Sequence, residues 1–192
     1  MNLRFTYVVV LSGLISGCMT AEPVAEHQRP KHWGQKIQHK ANFYRISTHV
    51  YRSEQPDRLL LPELKRHDIH TIINLRHTRH RDPALIQNGL HVVHVPIHTW
   101  SIDRTDLLQV MQQIQRAEHN NQNVLIHCYH GSDRTGASIA MYRIIFQDWS
   151  IDDALAEMKH GGYGFHNIWR NIPALFTPEN IKWIREQLAN PS

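Results

Sequence analysis

Val124-Leu-Ile-His-Cys-Tyr-His-Gly-Ser-Asp-Arg-Thr-Gly136 is the stretch on which the reading of this chain turns. An apolar run, Val124-Leu-Ile126, enters a loop with cysteine at 128 and arginine at 134, and helix-like sequence follows. This order predicts the strand–loop–helix unit of an α/β domain. The five residues between Cys128 and Arg134 have backbone N–H groups that can all turn inward. Such a loop makes a concave nest for a tetrahedral anion at a helix N-terminus. Few chemistries need that arrangement, and the leading one is phosphate ester cleavage through a cysteine nucleophile.

The residue types fit the chemistry. A free thiol titrates at about 8.5 and must be shifted down to act as a nucleophile at neutral pH. Inward N–H groups, the positive end of the following helix and the Arg134 guanidinium all favour a Cys128 thiolate. The planar fork of Arg134 can grip two phosphate oxygens together, where lysine offers only a point charge. Gly131 permits a bend or close approach that a Cβ would obstruct, and Gly136 is expected to let the helix sit tightly on the sheet. Thr135 can donate its hydroxyl to the thiolate, easing its departure in a second step. His127 is expected to brace the loop from beneath. Tyr129, His130, Gly131, Ser132, Asp133 and Thr135 are the expected substrate-binding positions.

Outward from the loop, strand-like and helix-like pieces alternate. Phe43-Tyr-Arg-Ile46 and Val50-Tyr-Arg52 predict a short hairpin, and Leu59 to Lys65 a helix. Thr71-Ile-Ile-Asn-Leu75 and Val92-Val-His-Val-Pro-Ile97 read as buried strands. Leu107, Val110, Met111 and Ile114 recur at helical spacing. Residues 134–147 predict a helix burying Ile139, Ala140, Ile144 and Ile145. Ser150-Ile-Asp-Asp153 resembles a capping box opening another helix, which Gly161-Gly162 ends. Thr177-Pro178 opens the last helix as cap and first position. With no internal repeat, these pieces form one α/β domain.

The chain has 192 residues, is 41% hydrophobic and carries a net charge of +4, the profile of an ordinary folded domain with short appendages. Mild, scattered basicity suits an anionic substrate, and no nucleic-acid-binding motif is present. Residues 1–17 read as a signal peptide, with Arg4, an apolar stretch from Phe5 to Ile15, then small residues. Ile15-Ser-Gly-Cys18 resembles a bacterial lipobox, making Cys18 the lipid-modified first residue of an exported, membrane-anchored protein. Met19 favours the periplasm-facing outer membrane. Residues 18–41 are expected to form a tether, although Trp33 can pack early, and 42–192 the folded domain. A Cys18–Cys128 disulfide is the competing use of the two cysteines, and it would block both proposed roles.

The motif H-C-x-x-G-x-x-R-T-G resembles the signature of the cysteine-based protein tyrosine phosphatases, in their dual-specificity branch. Six specified positions at roughly 5% usage each match by chance on the order of 10⁻⁸ per start position, so the motif is specific. Asn42-Phe-Tyr-Arg-Ile46, Val50-Tyr-Arg-Ser53, Met141-Tyr-Arg-Ile144 and Glu157-Met…Gly161-Gly-Tyr-Gly164 are similar to exported bacterial tyrosine phosphatases of the TpbA type. The resemblance covers roughly residues 40–165. It implies a central four- or five-stranded mixed sheet flanked by helices and phosphomonoester hydrolysis through a phosphocysteine. It also implies no metal, no cofactor and a phosphorylated protein as substrate, with phosphotyrosine as the reference.

A phenolate leaving group should receive a proton, and the resemblance implies an aspartic acid between the second core strand and the next helix. Matching the flanking segments puts Trp100 at that place. Asp103 is the first choice for the acid and Asp106 the second, each with an alternative role as helix cap or first-turn acid. Asp133, beside Arg134 in a C-x4-D-R-T loop similar to that of some phosphoinositide phosphatases, is a third. It keeps inositol and lipid phosphates open as substrates, with loop orientation as its alternative role. Two other classes compete: a phosphate-binding pseudophosphatase and a rhodanese-type sulfurtransferase. The sixteen histidines lack paired metal-ligand spacing. The basic run Arg76-His-Thr-Arg-His-Arg81 can flank the pocket or be a solvated loop, and Tyr163 and Trp169 can line its entrance or pack in the core.

Overall fold

In a computed structural model, which describes residues 20–78 and 83–190, six strands and six α-helices alternate along the chain. The strands are β1 (Gln35–Gln38), β2 (Phe43–Arg45), β3 (Val50–Ser53), β4 (Ile69–Arg76), β5 (His91–Ile97) and β6 (Asn123–His127). The helices are α1 (Leu61–Arg66), α2 (Pro83–Gln87), α3 (Arg104–His119), α4 (Asp133–Phe146), α5 (Ile151–His160) and α6 (Pro178–Ala189). The sheet order is β1-β2-β3-β6-β4-β5. The first two pairings are antiparallel, and β3, β6, β4 and β5 run parallel.

Parallel strands covered on both faces read as continuous apolar runs, and their side chains still alternate between faces. Ile73 and Leu75 of β4, with Val124 and Ile126 of β6, pack into the larger core beneath α3 to α6. Ile72 and Leu125 turn the other way, against Leu60, Leu64 and Leu85 beside α1 and α2. The stripe on α3 is fully buried at Leu107, Val110, Met111 and Ile114. Each such side chain contributes about 1.5–3 kcal/mol on leaving water. Helix α4 is buried nearly all round, lying between the sheet and its neighbouring helices, and its buried face includes Thr135, Ser138 and Arg143. Helices α5 and α6 start at Ser150 and Thr177, whose hydroxyls accept from the backbone N–H of Asp153 and Asn180.

Two expectations need correction. The sheet has six strands rather than four or five, and the sixth, β1, lies in the stretch read as a tether. From Thr20 onward that stretch is docked on the domain. Thr20 bridges to His166, Ala21 N–H donates to Phe165 O at 2.7 Å, and Trp33 is buried. Its hold comes from polar contacts with distant residues, which leave no local periodicity to read. Gly34 N–H donates to the Glu157 carboxylate at 2.6 Å, and Arg29 donates to the Tyr163 hydroxyl at 2.9 Å. The stretch read as a signal peptide and Cys18 lie outside the described residues.

Candidate active site

Open parallel sheets bind ligands beyond the C-terminal ends of their strands. Here β3, β6, β4 and β5 end together, with Ser53 and Asn74 paired to His127 and Arg76 paired to Ile97. The loop 128–132 leaves β6 at that edge and enters α4. Cys128, a free thiol, is only 3% exposed at its start.

Three consecutive carbonyls of the loop are turned outward and held by the scaffold. Tyr129 O accepts from Gln55 N–H at 3.0 Å, His130 O from the Asn42 amide at 3.0 Å, and Gly131 O from Arg52 at 2.5 Å. Because C=O and N–H point oppositely across a peptide, the N–H groups of His130, Gly131 and Ser132 face the concave side. None of the three has an acceptor among the described residues. Gly131 makes the turn possible, since φ is +70° and an added Cβ would lie 2.4 Å from Ser53 O. Gly136 serves a different contact from the one expected: its missing Cβ makes room for Met158 of α5, at 3.0 Å, rather than for the sheet.

Arg52 was not singled out by sequence and is the main residue missed. It is fully buried, lies 3.7 Å from the centroid of the Tyr163 ring and interacts electrostatically with Cys128. Burial pulls its pKa below the ordinary arginine value, opposed by Tyr163, Glu157 and Cys128. Its Nε and Nη1 have no partner among the described residues. An arginine in the otherwise strand-like Val50-Tyr-Arg-Ser53 was the available signal.

Among the expected positions, Tyr129 is 56% exposed, with the Arg76 guanidinium 5.4 Å from its ring centroid. His130 is exposed and Ser132 is buried. His127 is buried, its Nδ1 2.8 Å from Cys128 O, which agrees with a bracing role. The Thr135 hydroxyl is buried but makes no bond to the thiol and has no partner among the described residues. Arg134 extends over the strand ends, where Nη1 donates to Leu75 O at 3.4 Å and Ile97 O at 3.3 Å.

Each of the three candidate carboxyls is held by structural hydrogen bonds. Asp103 is the exposed N-cap of α3, accepting from Thr105 N–H at 2.7 Å and Asp106 N–H at 3.0 Å. Its side chain is committed to these two bonds at the helix start, so the cap reading describes it. Asp106 closes the capping box by accepting from Asp103 N–H at 3.1 Å. Burial raises its pKa, with Asp103 adding to the rise and the Asp103 N–H and His98 opposing it. Asp133 is buried and accepts from His166 N–H at 2.9 Å, with His166 Nδ1 also at 2.9 Å. It orients the loop against residues 163–166.

Trp100 is 72% exposed, edge-on to the half-buried Trp169 at 4.5 Å. Tyr163 is core rather than entrance. Of the basic run, residues 79–81 lie outside the described residues. Among the described residues, no group of three or more His, Cys, Asp or Glu side chains is placed to hold a metal ion.

Behind the site, Arg143 of α4 and Glu157 of α5 form a buried bidentate pair at 2.7 and 2.9 Å. Burial alone would raise the Glu157 pKa. Arg143, the Gly34 N–H and the Tyr163 hydroxyl outweigh it and hold the carboxyl below its ordinary range.

Comparison with known proteins agrees with this geometry. The DSP-PTPase phosphatase family of polymorphic toxin systems matches residues 47–147. The dual specificity protein phosphatase TpbA of Pseudomonas aeruginosa is 34% identical over 190 residues, covering 98% of this chain and 85% of the relative. A crystal structure of P. aeruginosa TpbA superposes with a TM-score of 0.75 at 35% identity, covering 83% of this chain and 98% of that one. A cysteine-to-serine variant of TpbA in complex with phosphotyrosine gives 0.76 at 34% identity, covering 84% and 99%.

Proposed function

The chain belongs to the dual-specificity (DSP-PTPase) family of cysteine-dependent protein phosphatases, and from that premise we propose which of its residues carry the reaction. It is a protein tyrosine/dual-specificity phosphatase. Cys128 attacks phosphorus and forms a phosphocysteine while the phenolate leaves. The N–H groups of the loop Tyr129, His130, Gly131, Ser132, Asp133 and Thr135 hold the equatorial oxygens, and Arg134 spans two of them as charge develops. Water then attacks the phosphocysteine, phosphate departs and the thiolate returns. Protonation of the leaving oxygen falls to the segment 98–106 at the end of β5.

The observation that carries this reading is the row of outward-held carbonyls at 129, 130 and 131, which aims consecutive N–H groups at one point beside Cys128. The resemblance to a relative solved with phosphotyrosine favours that substrate for this chain as well. The test is hydrolysis of an aryl phosphate that survives chelators, stops with vanadate and vanishes in Cys128→Ser. A panel of phosphotyrosine, phosphoserine and phosphoinositide substrates then ranks the classes, with phosphotyrosine peptides expected first.

We also propose that residues 1–17 direct export and that Cys18 is lipidated, anchoring the enzyme at the periplasmic face of the outer membrane. The Arg4 n-region, the apolar stretch and Ile15-Ser-Gly-Cys18 support this. Labelled fatty acid should enter the wild-type chain and not Cys18→Ala, which should leave the membrane fraction. Labelling that persists in the variant rejects the assignment.

A further inference from the structure

An alkyl-substituted phenol has a pKa of about 10, so its phosphate ester needs a proton delivered to the departing oxygen. All three aspartates that could supply it are engaged: Asp103 as a helix cap, Asp106 in the reciprocal bond, Asp133 on His166. Trp100 stands where the family resemblance expects the acid.

What the segment does present is imidazole. Strands β4 and β5 pair up to Arg76↔Ile97, so His77 and His98 are the next residues to leave the sheet, side by side. Their ring centroids lie 3.3 Å apart. The Arg134 guanidinium is bound to Ile97 O, the carbonyl immediately before His98, so the imidazoles border the charge that binds phosphate. Asp106 interacts electrostatically with His98 from α3, while Arg134, His94 and His98 all act on His77.

We propose that His98 is the proton donor for the leaving group, with His77 and Asp106 as positioning residues. The inference rests on the phosphatase reading above. In the first step the S–P bond forms at Cys128, the P–O bond breaks, and the imidazolium proton passes to the departing oxygen. In the second, water attacks the phosphocysteine, the neutral imidazole takes its proton, the S–P bond breaks and phosphate leaves. The cycle returns both groups to their starting states.

The surroundings distinguish the two rings. Two imidazoles in contact do not both charge readily. Loss of hydration and the neighbouring groups His98, Arg134 and His94 pull the His77 pKa below its ordinary value. His98 has the Asp106 carboxyl as an additional neighbour. No carboxylate is among the groups acting on His77, so His98 is the ring backed by one.

The test compares phenyl phosphate with 2,4-dinitrophenyl phosphate, whose leaving group needs no proton, using full-length protein. His98→Asn should lower kcat on phenyl phosphate by about 10²-fold or more and spare the dinitrophenyl ester. Wild-type turnover of phenyl phosphate should fall as pH rises through the imidazole range, and that limb should vanish in His98→Asn and shift in His77→Asn. Asp103→Asn should keep both activities, because asparagine caps a helix about as well as aspartate. Equal loss on both esters, or no loss, in His98→Asn overturns the assignment. So does a leaving-group-dependent loss in Asp103→Asn. Wild-type protein that hydrolyses neither ester would instead reject the phosphatase reading itself.

Discussion

Two arginines on α4 meet opposite fates. Arg143 is buried and saturated: its nitrogens reach both Glu157 oxygens, Ile46 O, Gln147 and His32 O, with its guanidinium 4.2 Å from the Trp149 ring centroid. Arg134, at the other end of the helix, makes two long bonds from one nitrogen to strand-end carbonyls. The first is a cation whose charge is consumed in joining α4, α5 and the N-terminal arm. The second keeps its donors for an incoming anion. The same side chain thus serves cohesion where its partners are complete and chemistry where they are not.

The contrast can be broken most severely at the thiol. Cys128→Ser should abolish turnover, by several orders of magnitude, without lowering Tm. Arg134→Lys should follow, losing on the order of 10²–10³ in kcat, because a point charge cannot span two phosphate oxygens, again with Tm nearly unchanged. Glu157→Gln should invert that pattern. It strands the Arg143 charge and should cost about 3–5 kcal/mol in denaturant unfolding, while the folded fraction keeps its kcat.

The contrast is sharpened by pH. Glu157 has a depressed pKa, so its contribution to stability is present above the unfolded carboxyl pKa and is lost as pH falls through the folded value. Glu157→Gln should flatten that acid limb in a Tm-versus-pH series. The smallest effect is expected at Asp133→Asn, which weakens the grip on His166 and should raise KM for phosphopeptides severalfold with little change in Tm.

How much of this was legible in the sequence follows from where the information sits. The strands β4, β5 and β6 and the stripe on α3 were readable because burial writes itself as local apolar pattern. The caps at Ser150 and Thr177 were readable because each acts within one helical turn. The loop from Cys128 to Arg134 was readable because its function fixes both residue type and spacing. Strand β1 was not, because its sequence, Gln-Lys-Ile-Gln, carries one apolar residue, and the stretch ahead of it is held by Glu157 and Tyr163, more than a hundred positions away. Arg52 looked like a polar strand residue until β3 paired with β6 and put it under Gly131. The same holds for His77 and His98, which only the parallel register makes neighbours.

The bridge between Thr20 and His166 has a mechanical consequence. His166 clasps Asp133, so Thr20 is two linkages from the anion cradle. A load borne by the chain ahead of Thr20 is therefore applied at the rim of the cradle rather than at the far side of the domain. If Cys18 carries the lipid proposed above, the anchor would hold the enzyme by its mouth and set which way the mouth faces.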